Sequence, residues 1–185
     1  MNGFIATLFT AILVALAGCT SQSEPENKPS PQAITIESVG HFCSMDLIEH
    51  DGPKGQIFVK GRPDPLWFST IRQTLAYTVL PDSPKGLDAI YVTDMAIVKN
   101  MRQPEMESWM NARDAYYVTE SKFSGGMGGE DPLPFSDRSK AEEFAARHGG
   151  QILKFNEISE DYILHYDTFT PINADSIDDT KAGLS

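Results

Sequence analysis

Two sulfur side chains stand two residues apart in His41-Phe42-Cys43-Ser44-Met45-Asp46. A thiolate and a thioether are soft ligands, and together they suit Cu(I) far better than hard cations. In an extended segment residues i and i+2 project from the same face, with Cα atoms roughly 7 Å apart. Cys43 and Met45 would then point together, and two flexible side chains can close on a metal between them. Such a pair is a half-site, open to a third ligand or to a partner's ligand, whereas structural metal centres are closed. His41, His50, Asp46 and Glu49 lie nearby, and imidazole also suits copper. A lone cysteine is equally a common buried hydrophobe, and a methionine beside it a common core residue, so the spacing alone leaves both readings open. Zinc is disfavoured, because one thiolate and scattered histidines do not make a finger spacing.

Another thioether, Met127, sits among four glycines in Gly125-Gly126-Met127-Gly128-Gly129. That composition excludes a helix or strand interior and lets the loop approach another surface closely. Met127 is either a further ligand or a loop side chain resting on the core. Met95, Met101, Met106 and Met110 form a third group. Met106 and Met110, four apart, would share a helix face and read as a packing stripe. Met95, beside Asp94 at the end of a strand pattern, is the member expected nearest the surface and a further candidate ligand.

The elements that must position these residues follow an apolar leader. Phe4 to Leu16 is almost continuously apolar, too short for a span of about 20 residues and right for a signal peptide. Leu16-Ala17-Gly18-Cys19 closes it, the pattern at which bacterial lipoproteins are cut and their cysteine acylated. One departure is the absence of Lys or Arg before the apolar run. With residues 1–18 removed and Cys19 lipidated, Cys43 is left as a single thiol on the periplasmic side of a bacterial membrane. Residues 19–32 form a tether rich in Ser, Pro, Glu and Asn that cannot offset its ordering entropy by burial. The acyl chains would hold the domain on a membrane without spanning it.

The formal charge of -11 belongs to the part after the leader and argues against nucleic acid, whose phosphates it would repel. Asp64-Pro65-Leu66-Trp67-Phe68-Ser69 and Asp131-Pro132-Leu133-Pro134-Phe135-Ser136 differ at one position, and each precedes a helical pattern. The first pattern runs through Phe68, Ile71, Leu75 and Val79. The second, capped by Ser136 or Asp137, runs through Ala141, Phe144 and Ala145 to His148, before Gly149-Gly150. Strands are expected at 56–59, 89–95, 115–119, 151–155 and 163–166. The fold class is therefore α+β, a tandem of two pseudo-repeated units at 33–110 and 111–172, with a frayed acidic tail at 173–185.

With these residues in hand, the chain resembles the NosL family, copper-binding lipoproteins associated with nitrous oxide reductase assembly. The resemblance rests on the Leu-Ala-Gly-Cys box, Cys43-Ser44-Met45, Gly52-Pro53-Lys54-Gly55-Gln56-Ile57 and Phe68-Ser69-Thr70-Ile71-Arg72. It also rests on Tyr91-Val92-Thr93-Asp94-Met95, Met127-Gly128-Gly129-Glu130 with Pro134-Phe135, and Phe144 to Gly150. It implies a fold similar to organomercurial lyase, periplasmic Cu(I) binding, and delivery of copper toward nitrous oxide reductase through a membrane ABC-type transporter complex. It implies Cys43 and Met45 as ligands, completed by Met127 or a histidine. Ser44 stands where the resemblance leads one to expect glycine.

Catalysis is not expected. Carbon–mercury cleavage would need a second cysteine, and fold similarity without the reacting groups is not function. No oxyanion loop or triad pattern accompanies Cys43 with His41 or His50. The rival from another class is a lipid-anchored assembly module without metal, separated from a metallochaperone by whether Cu(I) binding depends on Cys43 and Met45.

Overall fold

The computed structural model describes residues 28–164, Gly126 excepted. The expected leader, the expected lipidation residue Cys19, most of the expected tether, the end of the last expected strand and the acidic tail lie outside the described residues. The chain is already held at Pro29, whose carbonyl accepts from the Tyr91 hydroxyl at 2.7 Å. Gln32 exchanges hydrogen bonds with the buried Gln56, so ordered contacts begin ahead of the expected start at Ala33.

The first sheet has the order β2-β1-β3-β4, all antiparallel, from β1 (Gly55–Val59), β2 (Leu66–Phe68), β3 (Leu87–Thr93) and β4 (Trp109–Asn111). Helix α1 (Ile71–Val79) joins β2 to β3. The second sheet, β6-β5-β7, comprises β5 (Tyr116–Thr119), β6 (Leu133–Phe135) and β7 (Gln151–Lys154), with α2 (Arg138–His148) between β6 and β7. Each sheet thus contains a hairpin, a helix and a return strand beside the hairpin's first strand. The two Asp-Pro-Leu segments both form the short outer strand that leads into the helix.

Packing decides details that periodicity left ambiguous. Phe68 ends β2 and does not begin the helix, because Thr70 caps α1 by accepting from the Gln73 amide. Gly55 permits the helix to sit on β1: a Cβ there would lie 2.0 Å from Thr74 Oγ1. Asp137 caps α2 as expected, accepting from the amides of Ser139 and Lys140. Met106 and Met110 do not share a helix. Met106–Ser108 is a single 3-10 turn and Met110 pairs with Val92 in β4, a register in which spacing by four has no meaning. At its described residues, 163 and 164, the strand expected at 163–166 is also not formed. Ile163 and Leu164 end the short helix α3 (Glu160–Leu164), which packs on α1.

The main core is shared by the two sheets. Phe68, Ile71, Leu75 and Val92 from the first pack with Tyr117, Ile158 and Ile163 from the second part of the chain. The opposite face of β5 presents Val118 to a smaller cluster with Leu133, Phe135 and Ala141 under α2. Ile34 and Leu47 pack with Trp109 beneath the segment that carries the sulfur pair.

Candidate metal-binding site

The sulfur pair lies in a closed turn and not in the extended segment its spacing suggested. The Gly40 amide donates to the Met45 carbonyl at 2.9 Å, and the Ser44 amide donates to the Gly40 carbonyl at 2.8 Å. The His41 amide donates to the Trp67 carbonyl, fastening the turn to β2. Reversal within three residues requires a left-handed position, and Ser44 supplies it at φ 54°. Gly40 is equally determined: a Cβ there would stand 2.5 Å from Cys43 Sγ. The thiol therefore folds back over a bare Cα, half-buried, and lies 3.4 Å from Ser69 Oγ. Ser69 in turn donates to Gln73 Oε1 at 3.1 Å, on the first turn of α1.

Met127 is at the tip of a tight loop. The Gly125 amide donates to the Gly129 carbonyl at 2.8 Å, the Gly128 amide to the Gly125 carbonyl at 2.9 Å, and Ser124 and Glu130 form a bridge at the base. The loop and the sulfur turn face one cleft of about 260 Å³, lined among others by Phe42, Gln73, Leu80, Met127, Asp131 and Leu164. Phe42 is the immediate neighbour of Cys43, and Gln73 is linked to its thiol through Ser69. Phe42 of the sulfur turn and Met127 thereby line the same cleft, although 85 residues separate them in the chain.

Each of the other candidates has its own surroundings. The exposed His41 ring stands 5.1 Å from Phe42 and 5.3 Å from Tyr77, centroid to centroid, in an aromatic group with Phe68. His50 has a buried Nε2 with no hydrogen-bond partner among the described residues, while its carbonyl accepts from Lys54. Met45 is half-buried. Met95 packs in the α2 cluster with Phe123 and Phe144, and its amide donates to Pro134. Among the described residues, no three His, Cys, Asp or Glu side chains converge as a metal site.

Sequence reasoning passed over the polar groups beneath the cleft. Asp131 is buried, and its two oxygens accept from the amides of Ile71 (3.0 Å) and Arg72 (2.7 Å), the exposed end of the α1 dipole. Burial pushes its carboxyl up to about 7, opposed by those two amides and by the Arg72 charge. Arg72 pairs with Glu130 and also donates to the Tyr162 carbonyl, while the Tyr162 hydroxyl donates to Glu130. Burial, and then Glu130, push the Tyr162 phenol up. No signal in the chain marked Asp131, since its counterpart in the repeated motif, Asp64, is exposed. Buried Lys54 was likewise missed as a clamp: its ammonium donates to the carbonyls of His50, Gly52 and Met101, and desolvation lowers it to about 8.

Comparison with known proteins bears on this arrangement. A family model described as NosL matches residues 31–163. The copper-binding lipoprotein NosL of Achromobacter cycloclastes is 38% identical over 170 residues, covering 91% of this chain and 84% of the relative. The protein of the same description from Stutzerimonas stutzeri is 31% identical, covering 81% of this chain and 78% of the relative. The crystal structure of the copper chaperone NosL from Shewanella denitrificans superposes with a TM-score of 0.65 at 30% identity, covering 71% of this chain and 96% of that one.

Proposed function

The chain belongs to the NosL family, and on that premise we propose that it is a lipid-anchored periplasmic chaperone that carries Cu(I) for the maturation of nitrous oxide reductase. The observation that carries this reading is the half-buried Cys43 thiol at a turn fastened beside a cleft whose other wall bears Met127. Cys43 thiolate and Met45 thioether are the ligands, with Met127 the completing group ahead of His41, His50 or Met95. Soft, low coordination retains Cu(I) against hard competitors and leaves a flank on which an incoming sulfur or imidazole can exchange. Binding releases the thiol proton, so affinity rises with pH. The chain acts by binding and handing on, not by catalysis.

Cys19 is the acylated residue, residues 1–18 the cleaved leader, and the acceptor is nitrous oxide reductase, reached through a membrane ABC-type transporter complex. The matching hairpin–helix–strand order of the two sheets supports a duplicated origin with units near 33–110 and 111–172; a fold like that of organomercurial lyase is part of the same proposal. The test is the copper content of nitrous oxide reductase purified from cells whose own copy of this chain is replaced by Cys43→Ser. Depleted copper, with the variant present at the membrane in normal amount, is the expected result. Full copper loading in those cells would contradict the reading.

A further inference from the structure

Asp131 stands where the Met127 loop meets the first turn of α1. On one side its carboxyl group holds the first two amides of α1, whose Gln73 accepts from Ser69, the residue beside the Cys43 thiol. On the other side it follows directly on Glu130, the base of the Met127 loop. Gly125 packs so closely on it that an added Cβ would lie 3.0 Å from Asp131 Cβ. A glycine-rich loop has little rigidity of its own. Its placement against α1 therefore depends on what grips its stem, and the grip is the buried Asp131 side chain, which accepts from two backbone amides. Arg72 and Glu130 close the stem's outer side.

We propose that Asp131 is a positioning residue: it fixes the Met127 loop against the first turn of α1, so that the thioether faces the cleft beside the Cys43 turn. This deepens the copper reading and rests on it only for its consequence, because the positioning itself exists without metal. Two variants separate the effect from general damage. Asp131→Asn weakens the hold on α1, whereas Gly125→Ala leaves that cap in place and pushes the loop off Asp131.

The metal-free full chain, labelled with 13C at its methionine methyls, gives the first readout. The Met127 signal, assigned by Met127→Leu, is expected to be shifted from the solvated position in the parent and to collapse toward that of a freely solvated methionine in both variants. Met110, paired in β4, should not move. A Met127 signal unchanged in both variants overturns the proposal, whatever copper does. The second readout is Cu(I) affinity in a double-mutant cycle. Asp131→Asn should weaken binding as much as Met127→Leu does, and the double variant no further. Fold-losses that multiply would show Asp131 acting independently of Met127 and overturn the proposal. Loss of binding with Cys43→Ser, measured alongside, keeps this failure distinct from failure of the copper reading.

Discussion

Ser44 holds a conformation that costs an L-residue roughly 1–2 kcal/mol and costs glycine almost nothing. Part of that gain is returned as glycine's greater loss of chain entropy, so Ser44→Gly should stabilise the fold by about 0.5–1 kcal/mol. Urea unfolding would show it as a higher midpoint at unchanged slope. An unchanged midpoint would mean that the turn relaxes around Ser44. Gly40→Ala is expected to behave differently. Its Cβ would meet Cys43 Sγ, the mobile end of a short side chain, so the thiol rotates away and stability changes by under about 1 kcal/mol. The loss should fall on Cu(I) affinity, and a Gly40→Ala variant binding like the parent would deny that the thiol's placement matters. Residue types in the sulfur pair were legible in the chain because ligand softness depends on composition alone. Their orientation was not, since period-two reasoning assumes an extended backbone and nothing in Cys-Ser-Met announces a positive φ. Ser69 was invisible for a related reason: only the folded turn brings it to the thiol.

Helices and strands were readable where a cap or a cluster of β-branched and aromatic residues was strong, as at Asp137 of α2 and along β1, β3 and β5. Reading failed for short apolar runs, where Ile163 and Leu164 suit a strand or a helix equally and contact with α1 decides. The first turn of α1 shows an element completed from far away, because half of its free amides are satisfied by Asp131. Asp131→Asn turns an amide NH2 toward N–H donors and should cost about 1–3 kcal/mol. Its pH dependence has a definite sign. The folded carboxyl, raised to about 7, keeps a proton that the unfolded one releases near 3.8. The stability this group contributes is complete below that lower value and drains away as pH rises through 7. Unfolding free energies of the parent should therefore fall relative to Asp131→Asn between pH 4 and 7. Parallel profiles would show that the two amides outweigh burial.

At the scale of the whole molecule, two sheets of similar topology share one core across Phe68, Leu75, Tyr117 and Ile163. The repeated Asp-Pro-Leu segments marked two places where a helix follows, but no pattern said which apolar faces would meet. A shared core should unfold cooperatively. Fluorescence of Trp67 and Trp109, both in the first sheet, should report the same urea transition as far-UV circular dichroism, which sees both sheets. A second transition seen only by dichroism would mean independent units. The same architecture sets Phe42 of the sulfur turn and Met127 of the glycine loop at one cleft, and transport of Cu(I) is the function proposed above. Its most direct test is an anaerobic Cu(I) titration of the chain lacking residues 1–19 against a chromophoric chelator, with Cys43→Ser and Met45→Leu in parallel. The expected result is tight binding by the parent, nearly abolished by Cys43→Ser and weakened less by Met45→Leu. Equal binding by all three proteins, or a parent unable to compete with the chelator, would contradict the assignment of the sulfur pair as the copper site.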